Sequence, residues 1–550
     1  MKLKTILSLL ILSSTFHVSI SQVTIDFKDR PKLEQTFNFR KISSNKDFIY
    51  NLGIKDKGEE SIYFIEKYSV TSLNFEYQKD LKICEEDKAA LVHPLFVPPV
   101  CFEYNNQLVV FYCSYNKTDK KVNINVKTVN EKGDVNSKFQ SLVSSKDISV
   151  QLGGWYWNTI GYNKPVIGYK LSEDKKTVLI EIDSPKFSKI YAYAISDLLL
   201  GKTDHKEIDL LPLVEKEKII INRFFMINND LCFSYTKKIS EKNTDFGFAT
   251  LDNKTNNFQL KNLGLNVTTP FSIDYKVDQA KNKIFIAGFL RYSINSAEPV
   301  NVENSKVKLF NVQFNLASLS FENKNEFDFL PSIAKIISVP KLNYGFIDKK
   351  HSPDQYLENV DLLESPNYYY NISHLLFGRE PGSAIITPSH PGGDPMSGGG
   401  VTTVSRDILV TKLDRAGKLI DQYLLPRATV YNTFAGSRSG SLVAFANKQR
   451  NFNYGIMNDD LHFFYLDNKK NPLTPLDTYD PSDIKKCEFG KSALVHFSIK
   501  SNKIEKEILI EKDNKCFFYS NQNMMVNNAV LFDLEIGKKN SQVGRIIIDK

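Results

Sequence analysis

"DILVTKLDRAGKLID", residues 407 to 421, reads as strand, turn and strand. Ile408, Val410 and Leu413 alternate with polar residues at period 2, and Asp414 to Gly417 has the Asp/Gly chemistry of a tight turn before the chain resumes at Leu419. Whether this is one hairpin of an ordinary domain or one copy of a repeat decides the fold.

The same pattern recurs. In "NINVKTVNEKGDVNS", residues 123 to 137, the residues Ile124, Val126, Val129, Asn130, Gly133 and Val135 fall opposite Ile408, Val410, Leu413, Asp414, Gly417 and Leu419. Looser copies begin at Ile62, Lys189, Phe246, Leu309 and Ala493. Most are preceded by a Lys/Asn/Asp turn and a short apolar strand, as in "NNQLVVFYCSY" from Asn105, "NNDLCFSYT" from Asn228, "KNKIFIAGF" from Lys281 and "NDDLHFFYL" from Asn458. The unit is strand, variable loop, strand, Asp/Asn/Gly turn, strand. Its copies stand roughly 60 residues apart, with longer intervals before the sixth and the seventh, which suits one small sheet plus loops.

Small antiparallel sheets that cannot bury both faces alone are stabilised by stacking on their neighbours, and radial stacking closes into a β-propeller. The expected fold is therefore all-β and β-propeller-like, with six to eight blades and seven favoured by the number of units. Several β-sandwich domains are the alternative, although sandwiches do not require one strand pair to recur along the whole chain. Helices are few: "ISDLLLGK" and "LPSIAKIIS" each have room for one or two turns. The longest interval between units is expected to hold an insertion over about 339–405, where a recognition surface would be sought first.

At the N-terminus, Lys2 and Lys4 precede an apolar run from Ile6 to Leu12, and small residues follow at Ser19 and Ser21. This is the pattern of a secretory signal peptide spanning 1–21, cleaved near Ser21, which leaves 22–550 as the mature chain, secreted or periplasmic. The run is too short to span a bilayer, and no later stretch reaches that length, so no transmembrane segment is expected. A formal charge of +8 with Lys and Glu interleaved shows no basic stripe for nucleic acid. Six cysteines in a chain this long do not make a disulfide scaffold. Cys113, Cys232 and Cys516 sit in apolar runs and read as small buried hydrophobes, whereas Cys84 with Cys101 and Cys487 with Cys516 are pairings that spacing permits without ranking.

Signals for chemistry are sparse. Ser389, His390 and Asp394 cluster in the Gly/Pro-rich "SHPGGDPMSGGG", with His351 and His374 in the same expected insertion; the competing reading is a plain surface loop, and no metal-ligand spacing is present. Trp155 and Trp157, two apart on one alternating segment, share a face and suit either a flat platform for a sugar or peptide or core packing. Tyr368, Tyr369 and Tyr370 carry the same ambiguity. Asn116, Asn266 and Asn371 are glycosylation sequons. There is no P-loop, no G-x-S-x-G and no C-x-x-C, and no cofactor or metal is expected.

The leader ending in "SQ", together with units such as "DILVTKLDRAGKLID" preceded by "NDDLHFFYLDNKKN", resembles the uncharacterised secreted β-propeller-like repeat proteins of the Bacteroidetes type. That resemblance implies a propeller at the cell envelope and carries no shared activity. Two functions are open: a non-enzymatic binding or scaffold protein holding a protein or glycan partner through propeller-face loops, or a glycan or peptide hydrolase with its site in the propeller channel. An aromatic or apolar face patch would favour the first, and several carboxylates or histidines converging from different blades would favour the second.

Overall fold

The computed structural model describes the chain between residues 23 and 548, apart from connecting stretches of which the longest are 82–89, 92–99, 149–166, 294–304, 338–354, 378–400, 434–451 and 472–483. Seven antiparallel sheets are each built from one continuous stretch of chain. Blade 1 runs from Thr36–Ser44 to Phe75–Asp80, blade 2 from Ala90–Leu91 to Gln140–Ser145, and blade 3 from Ile167–Leu171 to His205–Asp209. Blade 4 runs from Ile219–Ile227 to Asn257–Asn262, and blade 5 from Thr269–Asp278 to Ser320–Phe327. Blade 6 runs from Gln355–Glu364 to Leu419–Thr433, and blade 7 from Asn453–Met457 to Lys503–Glu511. The seven repeat units legible in the sequence fall on the third strands of these seven blades, from Ile62–Ser69 in blade 1 to Ser492–Lys500 in blade 7.

An eighth sheet joins the two ends of the chain. Val23–Asp29 is its outer strand and pairs with Asn540–Ile548, followed by Ala529–Ile536 and Cys516–Tyr519. Closure of this kind is expected from the sequence between Val23–Phe39 and the segment beginning at Cys516; the partner that actually meets Val23–Asp29 is the strand after that segment, with Val23 opposite Ile548. A sheet closed in this way leaves the ring without an open edge at its seam.

Each second strand is buried on both faces, which explains its continuous apolar runs. In blade 2, Val109, Phe111 and Cys113 pack towards blade 3, whereas Leu108, Val110 and Tyr112 pack towards blade 1. The same sharing joins blades 3 and 4, 4 and 5, 5 and 6, and 6 and 7. Blade 7 packs on the closing sheet through Met457, Phe464, Leu494, Ile546 and Ile548, and Arg545 of that sheet donates to the Val70 carbonyl of blade 1 at 2.9 Å. The ring is thereby complete. First strands of adjacent blades pack on one another, Thr36–Ser44 on Val100–Tyr104 and Thr269–Asp278 on Gln355–Glu364, so these strands line the axis.

The turn that reveals the repeat recurs atom by atom. Gly133 and Gly417 both take φ +83°, and their amides donate to the carbonyls of Asn130 and Asp414 at 3.0 Å. The side-chain oxygens of Asn130 and Asp414 accept from the amides of Asp134 and Lys418 at 2.8 Å. An Asx residue opening the turn and a glycine at the left-handed position make one local solution, written twice.

The two short helices expected from sequence are present as Ile195–Leu199 and Pro331–Ile337, and a third, Leu211–Glu217, has Pro212 in its first turn. Among the described residues no helix is long and apolar enough to cross a membrane. Cys113 and Cys232 are buried, and burial pushes the Cys113 thiol up to about 12. The side chains of Cys84 and Cys516 lie outside the described residues.

The stretch read as an insertion is in part blade. Residues Gln355–Glu364 and Tyr368–Phe377 form the first two strands of blade 6, and the third begins at Val401. The interval looks long from sequence because material on either side of that hairpin, 338–354 and 378–400, separates it from its neighbours.

Candidate functional site

The first strands of blades 4, 5 and 6 each place one charged residue at the same distance from the hairpin that follows. Arg223, Asp274 and Asp361 stand four residues ahead of Ile227, Asp278 and Ser365, whose backbones pair with the start of the second strand. Arg223 and Asp361 also come directly after β-bulges, between Ile221 and Arg223 and between Asn359 and Asp361. An extra residue in the strand re-aims the side chains beyond it, which is why bulges recur beside active sites.

These residues meet across blade boundaries. Arg223 Nη1 donates to Asp274 Oδ1 at 2.5 Å, and its guanidinium lies 5.4 Å from the Tyr275 ring centre. Tyr454, on the first strand of blade 7, donates its hydroxyl to Asp361 Oδ2 at 2.9 Å. Lys170, on the first strand of blade 3, donates to the Phe224 carbonyl of blade 4 and sits over the Phe225 ring. Polar contacts thus link the first strands of blades 3, 4 and 5 and, separately, those of blades 6 and 7.

The two carboxylates are held alike and environed differently. Each accepts its own following amide on Oδ1 at 2.8 Å, from Tyr275 for Asp274 and from Leu362 for Asp361. Burial pushes the Asp274 carboxyl above its ordinary value, the Arg223 guanidinium opposes the rise, and the Asp361 carboxylate adds to it. Both described bonds to Asp274 land on Oδ1. The Asp274 side chain is 13% exposed while that of Arg223 is 41% exposed, so the guanidinium faces the channel more than the acid does. Burial and the Asp361 charge favour the neutral form of Asp274, and the Arg223 ion pair opposes them.

No local feature marks this set, because its members come from separate blades and each resembles the polar half of an alternating strand. Their shared register is the signal that aligning first strands, rather than the more alike third strands, exposes. Residues singled out from sequence fare differently. Tyr369 is buried and stacks on Phe285 of blade 5 at 4.0 Å with the rings 6° apart, and Tyr370 is buried in the core between blades 6 and 7. Tyr368 lies under the Lys412 ammonium, 3.9 Å from the ring centre. This Tyr run is a strand and not a loop, so its alternation buries Tyr369 and Tyr370 against opposite neighbours and corrects the platform reading for those two. His374 is buried in the same strand. Asn371 is 1% exposed, which removes it as a surface sequon. Trp155, Trp157, His351, Ser389, His390 and Asp394 lie outside the described residues. Among the described residues no group of three or more metal-ligating side chains comes together.

No family model and no curated protein matches the chain. Among solved structures it is similar to the β-propeller domain of the Trilobed protease from Pyrococcus furiosus, at 9% identity and a TM-score of 0.30, covering 70% of this chain and 98% of that one. It is also similar to a family 32 β-fructofuranosidase from Bombyx mori, at 12% identity and a TM-score of 0.22, covering 72% and 81%. A third is the catalytic domain of a family 62 α-L-arabinofuranosidase from Coprinopsis cinerea, at 10% identity and a TM-score of 0.23, covering 54% and 85%. These likenesses are distant, and the functional reading rests on the channel residues alone.

Proposed function

We propose that the protein is a glycan hydrolase whose site lies in the propeller channel, outside the cytoplasm as the leader-like residues 1–21 imply. The observation that carries the reading is the pair of carboxylates on adjacent first strands, one held towards its protonated form and the other bound to a tyrosine hydroxyl. Glycoside hydrolysis needs two such groups. Asp274 serves as the general acid that protonates the leaving oxygen, and Asp361 serves as the base or nucleophile on the opposite side of the bond. Arg223 and Tyr454 hold the two carboxylates in place across blade boundaries, and Lys170 extends the polar wall to blade 3.

The test is turnover of a panel of plant, microbial and host glycans by the mature protein and by Asp274→Asn and Asp361→Asn. Loss of a carboxylate should lower kcat by about 10²-fold or more on any glycan that is cleaved, with the melting temperature little changed. Unchanged turnover in both variants would place the chemistry elsewhere. The non-enzymatic reading, a protein that holds a glycan or protein partner, draws on the same cross-blade polar contacts, since Arg223 and the carboxylates could grip a ligand without breaking it. Binding of an oligosaccharide that is lost with Arg223→Met, with no turnover by the wild type, would decide for that reading.

A further inference from the structure

Arg223 engages Asp274 with one nitrogen and presents the rest of its guanidinium to the channel. Nη1 donates to Asp274 Oδ1 at 2.5 Å, and among the described residues Nε and Nη2 make no hydrogen bond. The side chain is 41% exposed although it stands in the middle of Ile219–Ile227, a strand that lines the axis. The group is also held from beneath. Its carbon lies 5.4 Å from the Tyr275 ring centre and 5.9 Å from that of Phe225. Both rings are buried and meet edge to face at 5.0 Å, and the Tyr275 hydroxyl accepts from Ser234 Oγ at 2.8 Å. A guanidinium fixed at one nitrogen and seated on two packed rings keeps its remaining edge in one orientation. Lys170 of blade 3 brings a second positive charge to the same place, with Nζ 4.4 Å from the Phe225 ring centre.

We propose that the channel takes an acidic glycan, and that the open edge of Arg223 grips the carboxylate or sulfate of a sugar flanking the bond at Asp274. The proposal rests on the reading of the channel as a glycan-cleaving site and names the substrate class of that site. Parallel N–H groups on Nε and Nη2 match two oxygens of one anionic group, a pairing that a single sugar hydroxyl does not reproduce. A neutral sugar leaves part of that edge to water.

The charges around the site agree with an anionic ligand. Arg223 and Lys170 match Asp274 and Asp361 in number, so an approaching anion meets no net negative charge from these four groups. The cations stand on blades 3 and 4 and the carboxylates on blades 5 and 6, and this asymmetry draws the anion to the Arg223 side. Position follows from the ion pair. Asp274 accepts from the same guanidinium that offers the open edge, so an anionic group bound there belongs to a sugar next to the bond that Asp274 protonates.

The experiment is calorimetric titration of the whole chain with two matched pairs of ligands: an oligogalacturonate against its neutral methyl ester, and a sulfated galactan oligomer against the unsulfated one. Asp361→Asn is run beside the wild type, so that turnover does not consume the ligand. The expected result is that the acidic member of at least one pair binds more tightly than its neutral counterpart by about tenfold or more, and the pair that shows it identifies the anionic group. Arg223→Lys keeps a positive charge beside Asp274 but removes the fork, so the preference should fall to about threefold or less. Equal binding within both pairs, no binding of either acidic oligomer, or an undiminished preference in Arg223→Lys overturns the proposal. These outcomes are separate from those for hydrolysis. An acidic oligosaccharide bound through Arg223 and never cut by the wild type sinks the hydrolase reading and keeps the anion site, whereas neutral glycans cut with the help of Asp274 and Asp361, without acidic preference, do the reverse.

Discussion

The side-chain amide of Asn311, on the third strand of blade 5, donates to the carbonyl of Gly417 in the turn of blade 6 at 2.7 Å. The turn that marks the repeat in the sequence is therefore also a docking point between blades: Asn325 Nδ2 reaches Ala416 there, and the equivalent Gly133 turn of blade 2 lies against Tyr77 of blade 1. Local turn chemistry and ring assembly meet at one residue.

Gly417→Ala tests that contact. A Cβ at this position would stand 2.1 Å from Asn311 Oδ1, on a backbone at φ +83°. Gly264→Ala is the control, since its φ is +75° but nothing lies within 4 Å of its Cβ. Left-handed strain alone costs on the order of 1 kcal/mol. Gly417→Ala should exceed this by about 1–2 kcal/mol, through the clash and the lost hydrogen bond. Urea midpoints of the two variants decide it, and equal losses would mean that the turn does not dock.

Lys506→Met should be among the most damaging single changes. Asp467 is fully buried, with Lys506 Nζ 3.1 Å from its Oδ2 and Asn471 Nδ2 2.8 Å from its Oδ1. Burial already pushes its carboxyl upwards against these partners. Breaking a buried pair from one side costs about 3–5 kcal/mol, because the remaining charge is stranded. The double change with Asp467→Leu should recover much of that loss in chemical denaturation; a double variant as weak as the single one would contradict the account.

Tyr369→Ala addresses packing against recognition. Its ring covers Phe285 across the boundary of blades 5 and 6, and deleting a buried aromatic costs about 3–5 kcal/mol. Tyr369→Phe keeps the ring and should keep nearly all the stability. Binding or turnover of any glycan should be unaffected by Tyr369→Phe, and a selective loss there would restore the platform reading.

Arg223→Met should move the pH profile of any activity the channel shows. The guanidinium opposes the burial-driven rise of Asp274, so removing it raises that carboxyl further. A general acid works while protonated, hence the alkaline limb of kcat/KM should shift upwards, by roughly 1 unit or more. A limb that stays in place, or moves down, would remove Asp274 from the acid role.

Contiguous residues are enough to specify the blade and its repetition. Period-2 alternation, apolar second strands and an Asx-to-Gly turn are local features, written in contiguous residues, and they placed the third strands of all seven contiguous blades. The hairpin of blade 6 was hidden because flanking stretches broke its spacing from its neighbours. Which polar residues come together follows from assembly of the ring. Arg223, Asp274, Asp361 and Tyr454 lie on four separate first strands, and nothing in their local neighbourhoods distinguishes them from other polar positions on alternating strands. Radial closure brings those strands to one axis, and only there do burial and mutual proximity give the two carboxylates different surroundings.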